Sequence, residues 1–164
     1  MSFRLAHSRL AASIVLLFAA ACSDADLSTS PGNTTPSNPA TETFAAALGV
    51  NLAAMTKRSD NLYVQDLVVG TGTEATNGRI LRVTYSGYLI NGTKFDSNVG
   101  GTTFAFRLGD HAVIDGWDQG LAGMRVGGKR KLVIGSTLGY GTRGSGPIPG
   151  NATLVFDVEL VSVS

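Results

Sequence analysis

One stretch constrains the fold more than any other. Residues 79–90, RILRVTYSGYLI, alternate without a break. Leu81, Val83, Tyr85, Gly87 and Leu89 face one way; Arg82, Thr84, Ser86 and Tyr88 face the other. A period of two describes a β-strand with one face on a core. Asn91-Gly92 follows at once, and that pair takes the positive φ angles of a two-residue hairpin. The chain must therefore turn back on itself, so the sheet is antiparallel here and residues 93–97 form the return strand.

Other segments repeat the signal. Residues 62–69 are β-prone and end at Gly70-Thr71-Gly72. Residues 103–108 alternate, with Phe104 and Phe106 on one face. Residues 129–134 and 153–163 read as strands, the second with Leu154, Phe156, Val158 and Leu160 on one face. Only residues 113–124 carry helical spacing in this region, with Ile114, Trp117, Leu121 and Met124 stepping by three, four and three. Twenty-one glycines supply turns and loops, including the loop 135–152. The expectation is an α+β domain over 57–164, an antiparallel sheet with one short helix.

The N-terminus is of a different kind. Residues 1–21 join a positive start (Arg4, Arg9) to an apolar run closed by Ala19, Ala20 and Ala21. That is the pattern of an export signal, and the run is too short for a permanent span. The only cysteine, Cys22, follows directly. Small residues before a cysteine resemble the bacterial lipoprotein processing site, where the thiol is acylated. Each buried methylene of an acyl chain adds about 0.8 kcal/mol to membrane attachment. The expectation is an exported protein of the periplasm or cell envelope, lipid-anchored through Cys22. Ser23 after the cysteine implies the outer membrane in a Gram-negative cell. Residues 22–41 then read as a lipidation site and disordered Ser/Thr/Pro linker. Residues 42–56 read as a short amphipathic helix, with Phe44, Leu48, Leu52 and Met55 on one face. It is expected to dock on the domain, since its stripe is short for a coiled coil.

Charge and motifs exclude much. Thirteen basic residues against twelve acidic ones give +1, with no basic stripe for nucleic acid. There is no nucleophile elbow, phosphate-binding loop or zinc-helix motif. The lone cysteine and two distant histidines do not make a metal centre, and His111 reads as an exposed loop residue. What remains is aromatic. Beyond residue 56 stand Trp117, four tyrosines and four phenylalanines, enough to line an apolar pocket as well as a core.

Three stretches resemble one family. VTYSGYLINGTKFDS (83–97), FRLGDHAVIDGWDQGLAGMRVGGKRKLVI (106–134) and YGTRGSGPIPGNATLVFDVEL (140–160) are similar, in order, to the FK506-binding-protein (FKBP-type) peptidyl-prolyl cis–trans isomerases. The resemblance implies a sheet half-wrapped around the short helix, with a pocket between them. It implies Trp117 as the pocket floor, with Phe95, Phe104, Val113, Ile148 and Phe156 as substrate-binding walls. It implies Asp96, Tyr85, Tyr140 and Ile114 as the catalytic set. The Ile114 amide and the Tyr140 hydroxyl would hold substrate carbonyls, and the Tyr85 hydroxyl would donate to Asp96. Trp117 and Phe156 are also candidates for plain core, and Phe106 is assigned there.

The implied reaction suits such a pocket. Twisting a peptide bond costs about 18–20 kcal/mol because resonance is lost. X-Pro bonds have the smallest cis–trans difference. No covalent bond changes, so the reading carries neither cofactor nor nucleophile. The implied partners are proline-containing polypeptides and FK506-like macrolides, bound by a monomer. The alternative is a non-catalytic proline-peptide-binding or chaperone module on the same fold.

Overall fold

The computed structural model describes residues 35–164. The expected signal segment 1–21, Cys22 and the first part of the linker lie outside the described residues.

The strands are β1 (Thr56–Ser59), β2 (Leu62–Val68), β3 (Ile80–Leu89), β4 (Lys94–Ser97) and β5 (Phe104–Arg107), then β6 (Lys129–Ile134) and β7 (Leu154–Val163). One helix, α1 (Asp115–Leu121), precedes β6. Among the described residues all strand pairs are antiparallel. The order is β1-β2-β6-β7-β3-β4, and β5 also pairs with β3. The alternation of residues 79–90 is realised in β3, whose register sets Val83 opposite Leu160 and Gly87 opposite Phe156.

One face of the sheet holds the main core. Leu62, Leu81, Val83, Leu132, Ile134, Leu154 and Leu160 are each 0% exposed there. Full burial of such a side chain is worth about 1.5–3 kcal/mol. The helix α1 lies on this face and sends Trp117 and Leu121 into it. Its closeness depends on two glycines. A Cβ on Gly116 would stand 2.5 Å from Ile134 Cγ2, and one on Gly120 would stand 2.9 Å from Leu132 Cδ2. Glycine is costly inside a helix, so α1 is held by its surroundings. The buried Arg130 guanidinium, paired with the exposed Asp66, donates to the carbonyls of Gly120 and Ala122. Arg58 donates to that of Gln119 at 2.7 Å. These cations sit where the helix dipole favours them. The helix is shorter than its apolar spacing suggests, because Ala122 turns extended and Gly123 takes φ +77°.

Residues 42–56 are not the expected amphipathic helix. They run as two 3₁₀ turns, Ala46–Leu48 and Leu52–Ala54, separated by Gly49 at φ +59°. Ala45, Asn51 and Met55 have extended backbone, which breaks any continuous helix. The apolar residues still find cover. Leu48 and Met55 are buried on the outer face of the sheet against Tyr63, Val133 and Val155, with Phe44 and Leu52 packed alongside. The last part of the expected disordered linker is also docked, since Ser37 and Pro39 are buried. Residues 35–55 form a strap over the outer sheet face. β1 has no apolar residue and all four side chains are exposed, as befits a charged edge strand.

Candidate active site

Four strands and the helix meet at a cavity of about 180 Å³. β3 supplies Tyr85, β4 supplies Phe95 and Asp96, β5 supplies Phe104, and β7 supplies Phe156. The loop before α1 adds Ala112, Val113 and Ile114, and the loop after β6 adds Tyr140. Trp117, in the first turn of α1, is 4% exposed.

Rings surround the indole of Trp117 at edge-on angles. Tyr85 stands 5.0 Å away at 84° and Phe156 5.4 Å away at 82°. Phe106 and Phe104 follow at 5.7 and 6.2 Å. Edge-to-face pairs at such distances are favourable and stiff. Phe95 in turn packs on Phe156 at 5.5 Å and 86°. Trp117 therefore belongs both to the core and to the cavity. Its indole N–H is buried and has no partner among the described residues. Phe106, as assigned, is core, at 6% exposed.

The polar groups are few and ordered. The Tyr85 hydroxyl donates to Asp96 Oδ2 at 2.5 Å, and the Ser97 amide donates to Asp96 Oδ1 at 2.8 Å. Burial first, and then the bond to Asp96, pushes the Tyr85 hydroxyl above its usual pKa. Burial, then the charge of Asp96, raises Tyr140 as well. Both phenols therefore stay protonated, and able to donate, throughout the neutral range. Ile114 has extended backbone just before α1, and its amide donates to no group among the described residues.

Of the site residues expected from the sequence, Tyr85, Phe95, Asp96, Phe104, Val113, Ile114, Trp117, Tyr140 and Phe156 all line this cavity. Ile148 does not. It is 6% exposed and lines an adjoining hollow, with Phe95, Asp96 and Tyr140 common to both. Cys22 lies outside the described residues.

Three contributors were missed. Ala112 carries no chemical signal. Gly87 faces the site without a side chain, and a Cβ there would stand 2.6 Å from Phe95 Cζ and 2.8 Å from Phe156 Cε1. Asn98 clamps Tyr85. Its Oδ1 accepts from the Tyr85 amide at 2.7 Å, and its Nδ2 donates to the carbonyls of Val83 and Thr102. An asparagine just after a strand looks like an ordinary turn residue, so only the fold reveals the clamp.

His111, Asp115 and Asp118 bring potential metal-ligand atoms within 4.8 Å. Both Asp118 oxygens, however, accept backbone N–H groups, of Gly109 and His111, and Asp115 faces the His111 ring. The cluster caps its own loop.

Residues 71–161 match the family model described as FKBP-type peptidyl-prolyl cis-trans isomerase. The chain belongs to that family. The FKBP-type domain is 50% identical over 105 residues to an FK506-binding protein of Neisseria meningitidis serogroup A, covering 63% of this chain and 96% of that one. It is 50% identical over 110 residues to FK506-binding protein 4 of Rhizopus delemar, covering 66% of this chain but only 29% of that longer protein. Among solved structures, FkpA from Escherichia coli aligns with TM-score 0.63 and 41% identity over 68% of this chain and 52% of that one. AtFKBP13 aligns with TM-score 0.60 and 40% identity over 63% and 93%. The sheet half-wrapped around one short helix is thus the FKBP-like fold.

Proposed function

We propose that the chain is a peptidyl-prolyl cis–trans isomerase acting on X-Pro bonds of polypeptides during extracytoplasmic folding. The observation that carries this reading is the ring-walled cavity over Trp117 with Asp96 and Tyr140 at its rim. At about 180 Å³ it suits one side-chain ring and its flanking carbonyls. Drug-sized ligand sites typically measure ~300–1,000 Å³.

The proline ring sits on Trp117, between Tyr85, Phe104 and Phe156. The Ile114 amide and the Tyr140 hydroxyl donate to the substrate carbonyls. A planar amide carries separated charge on O and N, whereas a twisted one carries less. An apolar wall therefore favours the twisted form relative to the planar one, and only that difference accelerates rotation. Asp96, oriented by Tyr85 and Ser97, fixes the polar side of the pocket. One ring of an FK506-like macrolide would occupy the same cavity, in keeping with the names of the relatives. A monomer suffices for this site, since one chain supplies every residue that lines the cavity.

The location rests on the sequence of residues 1–22 alone: an export signal followed by an acylated Cys22, giving a tethered protein of the cell envelope. Mass spectrometry of the mature N-terminus tests it. A chain that begins at an acylated Cys22 supports the tether, and an unmodified Cys22 removes it.

A protease-coupled assay on a Pro-containing peptide tests the activity. Acceleration that drops in Asp96→Ala and Trp117→Leu proteins that remain folded supports catalysis in this cavity. Peptide binding with no acceleration would instead mark a proline-binding or chaperone module.

A further inference from the structure

We propose that Ser37, on the strap outside the family-matched residues, is a positioning residue for Tyr140. The inference rests on the reading of Tyr140 as a substrate-holding group. Tyr140 has little of its own to hold it. It is 38% exposed, its ring pairs with no other ring, and its hydroxyl makes no hydrogen bond among the described residues. Glycines flank it on both sides, Gly139 and Gly141, the second at φ +60°. Glycine backbone is the most permissive there is. The place of the Tyr140 ring therefore depends on how the neighbouring main chain is tied down.

That tie is Ser136. Its carbonyl accepts both the Gly139 amide, at 3.1 Å, and the Gly141 amide, at 2.9 Å, so it brackets Tyr140. Ser136 opens the 3₁₀ turn Ser136–Leu138, where an amide has no partner within the turn. The partner comes from 99 residues away. The Ser136 amide donates to Ser37 Oγ at 2.9 Å, and the Ser37 amide donates to Ser136 Oγ at 3.0 Å. The two serines are 5% and 1% exposed, so water does not compete for these bonds. Pro39 follows two residues later, itself buried, and fixes the strap where it passes Gly135. The reciprocal serine pair is the latch that sets the root of the Tyr140 loop.

A double-mutant cycle on the full chain tests it, with kcat/KM from the peptide assay and folding checked by circular dichroism. Ser37→Ala should lower kcat/KM about tenfold beside Tyr140. Beside Tyr140→Phe it should lower it no more than about threefold, because the two residues act through one network. Hydrogen exchange should quicken at the Gly139 and Gly141 amides but not in β3. If Ser37→Ala does not fold, Ser136→Ala, which removes the other bond of the pair, is put through the same cycle. Equal losses in both backgrounds, with unchanged exchange at Gly139 and Gly141, would overturn the latch alone. A Tyr140→Phe enzyme as fast as wild type would overturn the reading of Tyr140 and the inference with it.

Discussion

Gly87→Ala is a perturbation whose size can be worked from the fold. Gly87 lies on the inner face of β3, opposite Phe156 on β7. A single methyl there would meet Phe95 Cζ at 2.6 Å, Phe95 Cε2 at 2.7 Å and Phe156 Cε1 at 2.8 Å. Ordinary contact begins near 3.4 Å, so the rings must retreat by roughly 0.6–0.8 Å. Phe156 has nowhere to go, being 3% exposed and held between Trp117 and Phe95. Phe95, half-buried on the edge strand β4, is the ring that moves, and it carries the cavity wall with it.

Stability responds modestly. Overpacking costs about 1–3 kcal/mol. Alanine at a φ it tolerates returns about 0.4–1 kcal/mol through the unfolded state. The net loss is about 0.5–2 kcal/mol, read as a lower urea midpoint at unchanged slope. Activity responds more, because misplacing a binding wall by about 1 Å can cost up to ~10²-fold. We expect kcat/KM to fall about tenfold in the peptide assay. Adding Phe95→Leu, which shortens the obstructing side chain, should restore part of the stability. A Gly87→Ala protein with wild-type midpoint and wild-type kcat/KM would refute the claim that this glycine makes room for the pocket rings.

Three further perturbations probe charge. The Tyr85 and Tyr140 hydroxyls have folded-state pKa values above the unfolded value of 10.0. The unfolded chain therefore ionises first as pH rises, so their contribution is complete below pH 10 and is lost above it. The urea midpoint should fall more steeply above pH 10 in wild type than in Tyr85→Phe, and identical slopes would count against this. Arg130→Met leaves Asp66 unpaired and the Gly120 carbonyl without its side-chain donor, while the Ala122 carbonyl keeps only Arg58 at 3.4 Å. Breaking a buried pair from one side costs about 3–5 kcal/mol. Asp66 is 40% exposed, so the charge left behind is partly solvated and the expected loss falls below that range, at about 1–3 kcal/mol. Disrupting the exposed Lys57–Asp60 pair should leave the thermal midpoint where it is.

The strands were legible from the alternation of residue types, and the wet face survives where Arg82 stands exposed between buried Leu81 and Val83 in β3. In β7 Leu154, Val155 and Phe156 are all buried, because the strap covers the outer face that the alternation marks as wet. The turn at Asn91-Gly92 was legible from its residue types, but only Gly92 takes a positive φ, +89°. Asn91 does not, and the Gly92 amide donates to the Leu89 carbonyl, so the turn is not the two-residue form that the pair suggests. β1 was illegible, since an edge strand exposed on both faces has no pattern to show. Residues 42–56 misled for a subtler reason. Their apolar spacing reports a real dry side, but a sheet can cover that side as well as a helix can present it, and Gly49 at φ +59° decides against the helix. The ring wall was readable only through family resemblance, because a phenylalanine of the core and one of the pocket look alike in sequence. Ser37 carried no signal: a serine in a Ser/Thr/Pro run points nowhere until Ser136 is beside it.

The strap also moves the working boundary of the domain. The family match begins at residue 71 and the strand pattern near 57, yet the buried outer face of the sheet is closed by residues 44–55. Val133 and Val155 are 0% exposed there, and Tyr63 is 6% exposed. Deleting residues 1–55 would open all three to water. At about 1.5–3 kcal/mol for each fully buried side chain, the two valines alone account for about 3–6 kcal/mol. Domains of this size are stable by only about 5–15 kcal/mol. A chain starting at residue 56 should therefore be marginal or unfolded in a urea titration, whereas one starting at residue 35 should match the longer protein. Equal stability of the two fragments would mean that the strap only rests on the sheet. A loss confined to the shorter one would make the strap part of the fold, and would place the root of the Tyr140 loop under the control of a segment that the family pattern does not contain.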